Sequence, residues 1–146
     1  MYLVSDILKE KGNNVWTVSP DTPLLEALQR LAEKNVGALL VTEGDQIAGI
    51  LSERDVVRMI ARKGACPLDL PVRELMVREV ITVTPRQSLD DCMKLMTEKR
   101  IRHLPVLEEG RLVGLVSIGD VVRWVIDDQL HKIHDLEGYI TGSYGR

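Results

Sequence analysis

The apolar positions of this chain follow one pattern twice. Residues 15–18 form a short β-rich run that ends near Pro20, and residues 80–83 form the same run before Pro85, so each is expected to be a strand. Leu24, Leu28 and Leu31, with Ala27 and Ala32 beside them, recur at spacings of three and four. Leu89, Met93 and Met96, with Cys92 between them, do the same, which predicts an amphipathic helix in each copy. Asp21-Thr22-Pro23 and Arg86-Gln87-Ser88 read as helix starts, because Pro suits a first turn and Ser suits a cap. Residues 38–42 and 104–107 are compact apolar runs expected as buried strands. Glu43-Gly44-Asp45 and Glu108-Glu109-Gly110 are hairpin-type turns, and residues 47–51 and 112–116 return as strands. A second helix is expected over 55–62 in one copy and from 120–127 in the other. Residues 4–8 and 72–76 read as short helices leading into the two copies, the second reached through a linker marked by Gly64, Pro67 and Pro71.

The repetition extends to residue identity. Val15-Trp16-Thr17-Val18-Ser19-Pro20 returns as Val80-Ile81-Thr82-Val83-Thr84-Pro85. Gly49-Ile50-Leu51-Ser52-Glu53-Arg54-Asp55 returns as Gly114-Leu115-Val116-Ser117-Ile118-Gly119-Asp120, at the same offset and without a gap. Two copies with so long a period are unlike a solenoid, which stacks three or more shorter units. They predict a mixed α/β fold of the α+β kind: two β-α-β-β-α units about a pseudo-two-fold axis, with copies at 1–66 and 67–127. Equivalent clefts are expected where the units meet, and such interfaces are common ligand sites. Beyond them, at 128–146, Leu130, Ile133, Leu136 and Ile140 carry on a helical spacing begun at Val125. This tail has no counterpart in the first copy, and its apolar stripe needs a surface to cover it, from its own domain or a partner subunit.

Composition narrows the function. The 146 residues are 45% hydrophobic and 28% charged, with a net charge of −3 and no Phe. There is no basic stripe or aromatic platform for reading nucleic acid. No apolar run approaches a membrane span, and the first residues lack the basic stretch and apolar core of a signal peptide. Cys66 and Cys92 are far apart and not at equivalent positions, so they read as free thiols in a reducing cytoplasm.

The candidate chemistry lies in two places. Gly-x-x-Ser-x-x-Asp, at Gly49/Ser52/Asp55 and Gly114/Ser117/Asp120, falls where a strand turns into a helix. Ser and Asp three apart form a capping box. The same geometry suits a ligand: helix N–H groups and a Ser hydroxyl for phosphate, an Asp carboxylate for the adjacent hydroxyls of a ribose. Arg100-Ile101-Arg102-His103-Leu104-Pro105-Val106 brings three potential cations into a buried strand. It reads either as a helix end favoured by the dipole or as a phosphate clamp facing Ser117. The matching Asn35-Val36-Gly37-Ala38-Leu39-Leu40 has no cation, so two unequal clefts are expected, one served by Arg102 and His103 and the other by Gly37 and Ala38. Thr17 and Thr82 share one strand position, as β-formers or as hydroxyls at a cleft edge. His131 and His134 lack a third metal ligand. Ser117, His103 and Asp120 have the residue types of a triad, but the acid sits in the cap rather than orienting a base. No catalytic set emerges.

These motifs, in order and twice, resemble a tandem cystathionine-β-synthase (CBS) domain pair, over nearly all of the chain from Val4 to about Asp127. The chain looks like the stand-alone type, with no enzyme or channel attached. The resemblance implies a regulatory, non-catalytic protein without a catalytic cofactor. It would bind an adenine nucleotide (AMP, ADP or ATP, or the related NAD or S-adenosylmethionine) and form a disc-like homodimer that signals to an unknown protein partner. Carried over, Asp120 and Asp55 would hold the ribose, and Ser117 and Ser52 the phosphate, with Arg54 and Gly119 in the same turns. Thr82 and Thr17, with the backbone of Ile101, Arg102 and His103 or of Val36, Gly37 and Ala38, would frame the adenine and sugar. Val83 and Leu104 would sandwich the base, next to Pro105. The absence of an Arg-His pair and a Pro in residues 36–40 sets one cleft apart. Two other functions compete: a constitutive dimeric interaction protein with vestigial clefts, and a small nucleotide hydrolase.

Overall fold

The structure is a computed structural model that describes residues 1–140. In chain order the elements are α1 (Val4–Lys11), β1 (Thr17–Val18), α2 (Leu24–Lys34), β2 (Ala38–Glu43), β3 (Gln46–Ser52) and α3 (Glu53–Lys63). A 3-10 turn (Val72–Glu74) follows, then α4 (Leu89–Lys99), β4 (His103–Glu108), β5 (Arg111–Ser117) and α5 (Ile118–Ile140). The expected α+β fold is present, with a full β-α-β-β-α unit in the first copy and the same order in the second apart from its first strand. Strands β2 and β3 pair antiparallel with Ala38 opposite Ser52, and β4 and β5 repeat that register with His103 opposite Ser117. Each hairpin carries one irregularity, at Val41/Thr42 and at Val106/Leu107.

The first strand of each copy is where the halves differ. In the first copy β1 is only two residues long and runs parallel to β2, with Leu40 N–H donating to the Trp16 carbonyl at 3.2 Å. In the second copy the expected strand at 80–83 shrinks to a single parallel bridge between Val83 and Val106. The reason is Pro105, which holds the place of Leu40. Proline has no N–H to donate, so the rung that Leu40 supplies is missing. The helix starts also differ. Ser88 caps α4, accepting from Asp91 N–H at 3.1 Å, whereas Pro23 is the N-cap of α2 rather than a residue of its first turn.

The segments before each copy cross over. The core of the first copy gathers Leu24, Leu31, Leu39, Val41 and Leu51 and is closed by Val72 and Met76, which precede the second copy. The core of the second gathers Val83, Leu89, Cys92, Leu104 and Val116 and is closed by Val4, Ile7 and Leu8, which precede the first. This exchange explains the glycine of the Gly-x-x-Ser-x-x-Asp motif. A Cβ on Gly49 would lie 2.7 Å from Met76 Sδ, and one on Gly114 would lie 2.5 Å from Leu8 Cδ2. Only a bare backbone lets the crossing segment seat on the strand.

After Val121, α5 gradually leaves the body of the protein, and residues 129–137 are all exposed. Val122, Ile126, Leu130, Ile133 and Leu136 form an exposed apolar stripe along it. The Ile140 side chain and residues 141–146 of the expected tail lie outside the described residues. No helix among the described residues is long and apolar enough to cross a membrane.

Candidate functional site

Both strand-to-helix turns close as capping interactions. Ser52 Oγ accepts from Asp55 N–H at 3.2 Å and donates to Asp55 Oδ2 at 2.8 Å. Ser117 Oγ accepts from Asp120 N–H at 3.2 Å, while Ser117 N–H donates to Asp120 Oδ2 at 2.9 Å. Each helix entry is also tied to the other hairpin strand: Glu53 N–H donates to the Gly37 carbonyl at 3.0 Å and Ile118 N–H to the Arg102 carbonyl at 2.8 Å. The Ser52 hydroxyl is thus already engaged with its own acid.

A cleft of about 240 Å³ opens where the start of α3 meets the lead-in to β4. It gathers seven of the candidate residues: Gly37, Ser52, Arg54 and Asp55 from the first copy, and Ile101, Arg102 and His103 from the second. Ile50 and Val77 add apolar wall, and Glu53, Arg58, Glu79 and Arg100 complete the charged rim. This regroups the expected pairing. Arg102 and His103 were to serve one cleft and Gly37 and Ala38 the other, yet Gly37 lines the same cavity as Arg102 and His103. The cause is the pseudo-two-fold packing, which lays the start of β4 against the start of β2. A Cβ on Gly37 would lie 3.4 Å from the His103 ring.

The remaining candidates lie elsewhere. Val83 (1% exposed), Leu104 (0%) and Ala38 (2%) are core residues, and Pro105 is buried beside them. Val83 and Leu104 therefore turn no face to the cleft, and the apolar surfaces offered to a base are Ile50, Val77 and Ile101. Thr17, Val36 and Thr82 are half-buried outside the cavity lining. Ser117, Gly119 and Asp120 stand at the matching turn of the second copy.

That second turn has a built-in occupant. Lys11, the last residue of α1, places Nζ 2.6 Å from Asp120 Oδ2 and 2.9 Å from the Leu115 carbonyl. Burial alone would raise the Asp120 carboxyl, but Lys11 and the Ser117 N–H outweigh it and hold it below the ordinary value. Among the described residues Asp55 has no such cation, and its carboxylate accepts from the Ser52 hydroxyl instead. His103 is no cation either. Burial, then Lys11 and Arg102, push its imidazole below the ordinary range against the pull of Asp120 and Asp55, so the neutral ring prevails at neutral pH.

Sequence reasoning missed Lys11, Val77 and Glu79, since all three arrive on the crossing segments. It also missed Arg58, although the one-turn spacing from Arg54 was a readable sign of a shared helix face. No group of three metal-ligating side chains occurs among the described residues.

The CBS domain pattern matches residues 4–62 and again 72–127. The chain belongs to the CBS domain family. A mitochondrial CBS domain-containing protein of Arabidopsis thaliana, CBSX3, is 39% identical over 97% of this chain and 73% of its own. A solved structure of a putative signal-transduction protein with CBS domains from Burkholderia ambifaria is 46% identical, with a TM-score of 0.83 over 88% of this chain and 96% of that one. A CBS domain protein of Pyrobaculum aerophilum complexed with AMP is 26% identical, with a TM-score of 0.72 over 82% of this chain and 89% of that one. The turn at Asp55 and the turn at Asp120 are thus the matching helix entries of a CBS pair.

Proposed function

We propose that this CBS pair binds an adenosine-containing small molecule in the Asp55 cleft and passes the occupancy to a protein partner. The observation that carries this reading is the Asp55 carboxylate. It stands without an ion-pair partner among the described residues, in a cavity lined by both apolar side chains and arginines. Asp55 accepts the ribose hydroxyls, Ile50, Val77 and Ile101 cover the base, and the arginines receive phosphate. The AMP complex of the Pyrobaculum relative supports the ligand class. The sensing unit is the pair of copies at 1–66 and 67–127, with 128–146 as a tail. Binding across both copies shifts the balance between two packings of the halves.

The reading is regulatory rather than catalytic, because among the described residues neutral His103 has no acid hydrogen-bonded to orient it, and Ser52 donates to the Asp55 carboxylate of its own cap rather than to a histidine. The working form is a homodimer built on the exposed apolar residues of α3 and α5, led by Val57, Val122 and Ile126. The compartment is the reducing cytoplasm, in keeping with the free thiols of Cys66 and Cys92. A vestigial cleft is favoured at one place only, the Asp120 turn that Lys11 fills.

Calorimetric titration with AMP tests the site. Asp55→Asn should weaken binding by about 1.5–3 kcal/mol, the worth of a charge-assisted hydrogen bond, while Asp120→Asn leaves it nearly unchanged. Equal effects of the two changes would overturn the assignment, and turnover of ATP or NAD in the same samples would overturn the regulatory reading.

A further inference from the structure

A second cavity, about 440 Å³ in volume, adjoins the Asp55 cleft. The two share Arg54, Arg58, Arg100, Ile101 and Arg102, so one runs into the other. Their charge differs. The inner cleft sets Glu53, Asp55 and Glu79 against its arginines, whereas the outer cavity is lined by the four arginines and apolar side chains, with no carboxylate. Among the described residues none of the four guanidinium groups forms an ion pair.

The sequence maintains this cluster against local preference. Arg54 and Arg58 stand one turn apart on α3, a like-charge spacing that disfavours the helix. Arg100 takes the left-handed C-cap of α4 at φ +54°, a conformation that favours Gly or Asn, and the first copy does place Asn35 there. The cluster is also one-sided. The positions matching Arg54, Arg100 and Arg102 are Gly119, Asn35 and Gly37, and the position matching Arg58 is Arg123, which Glu10 neutralises at 2.7 Å. Four unneutralised guanidinium groups around one cavity call for a multiply charged anion, and their planar forks fit phosphate oxygens.

We propose that the outer cavity is a phosphate-chain subsite, and that the ligand of the cleft is therefore a nucleoside triphosphate in preference to a monophosphate. The inference rests on the adenosine reading of the inner cleft, and the test separates the two. The full chain is titrated with adenosine, AMP, ATP and inorganic tripolyphosphate, alongside Arg58→Gln and Arg100→Asn. The second variant restores the residue that the first copy uses at this backbone geometry, so it should fold. The expected result is ATP tighter than AMP by about tenfold or more, and tripolyphosphate binding on its own. Each variant should lower both of these affinities by about tenfold, as loss of one charge-assisted contact implies, and leave adenosine, which carries no phosphate, nearly unchanged. Tripolyphosphate binding that the variants weaken, with no nucleotide binding, would uphold the anion cavity and overturn the adenosine reading. AMP as tight as ATP, no binding of tripolyphosphate, or variants that weaken adenosine and ATP alike would overturn the subsite.

Discussion

Asp55 and Asp120 occupy the same place in their copies, in the first turn of a helix capped by Ser52 or Ser117. Asp55 faces a cavity rich in arginine, while Asp120 is held by Lys11 at 2.6 Å. The hairpins do not cause this difference, since β2–β3 and β4–β5 share one register. It comes from the crossing segments. The helix α1 ends at Lys11 over the second copy, whereas the shorter 3-10 turn delivers Val77 and Glu79 to the first. A duplicated scaffold thus presents one open and one filled turn because unlike segments close its two halves.

The strongest way to break the comparison is to remove the filling. Lys11→Met should leave Asp120 as free as Asp55 and raise the AMP stoichiometry from one site to two per chain by calorimetry. The new site should bind adenosine and AMP alike, since Gly119 and Gly37 stand where the first site has arginines, and Arg123 is paired with Glu10. A stoichiometry of one in Lys11→Met would mean that the second turn is closed by its packing rather than by the ammonium group.

Much of this scaffold is legible in the sequence. The hairpins, the Ser88 cap and the doubled order of elements follow from spacing and turn residues, which act locally. The filled turn was not readable. Apolar spacing at Val4, Ile7 and Leu8 shows that α1 is buried on one face but not which core receives it, and the core it enters belongs to the later copy. Nothing in the sequence therefore marks Lys11 as a residue of the Asp120 turn. For the same reason the sequence groups His103 with the Ser117 and Asp120 turn of its own copy, although its ring also lies against Gly37 of the other copy.

A smaller contrast lies in pH dependence, which should belong to the second copy. Asp120 is held below its ordinary value, so its pairing contributes fully above the unfolded carboxyl value of about 3.9. That contribution is lost as pH falls through the lower folded value. His103 is also lowered, so stability is complete above the unfolded imidazole value of about 6.5 and declines as pH falls below it. Urea midpoints measured against pH should therefore slope gently downward below neutrality. His103→Gln should flatten that slope, and Asp120→Asn should remove part of the steeper loss in acid. The first copy has Ala38 in place of His103 and cannot supply the slope. An unchanged profile in His103→Gln would assign it to other groups.

The smallest expected effect concerns the strand that shrank. In the first copy Leu40 N–H bonds the Trp16 carbonyl, and in the second Pro105 cannot reach Ile81 in that way. Pro105→Leu restores a donor at a buried position where the matching copy already accommodates Leu. The added hydrogen bond is worth about 0.5–1.5 kcal/mol. Losing proline gives back about 0.4–1 kcal/mol through a freer unfolded chain. The net change should therefore stay within about 1 kcal/mol in the denaturant midpoint, the two contributions nearly cancelling. The structural readout is sharper than the energetic one. The new amide at 105 should exchange with solvent as slowly as that of Leu40, because it would sit in an equivalent two-rung parallel ladder. Fast exchange at 105 beside slow exchange at Leu40 would show that the second copy lacks the strand for a reason other than its proline, and that the two halves diverge in backbone path as well as in side chains.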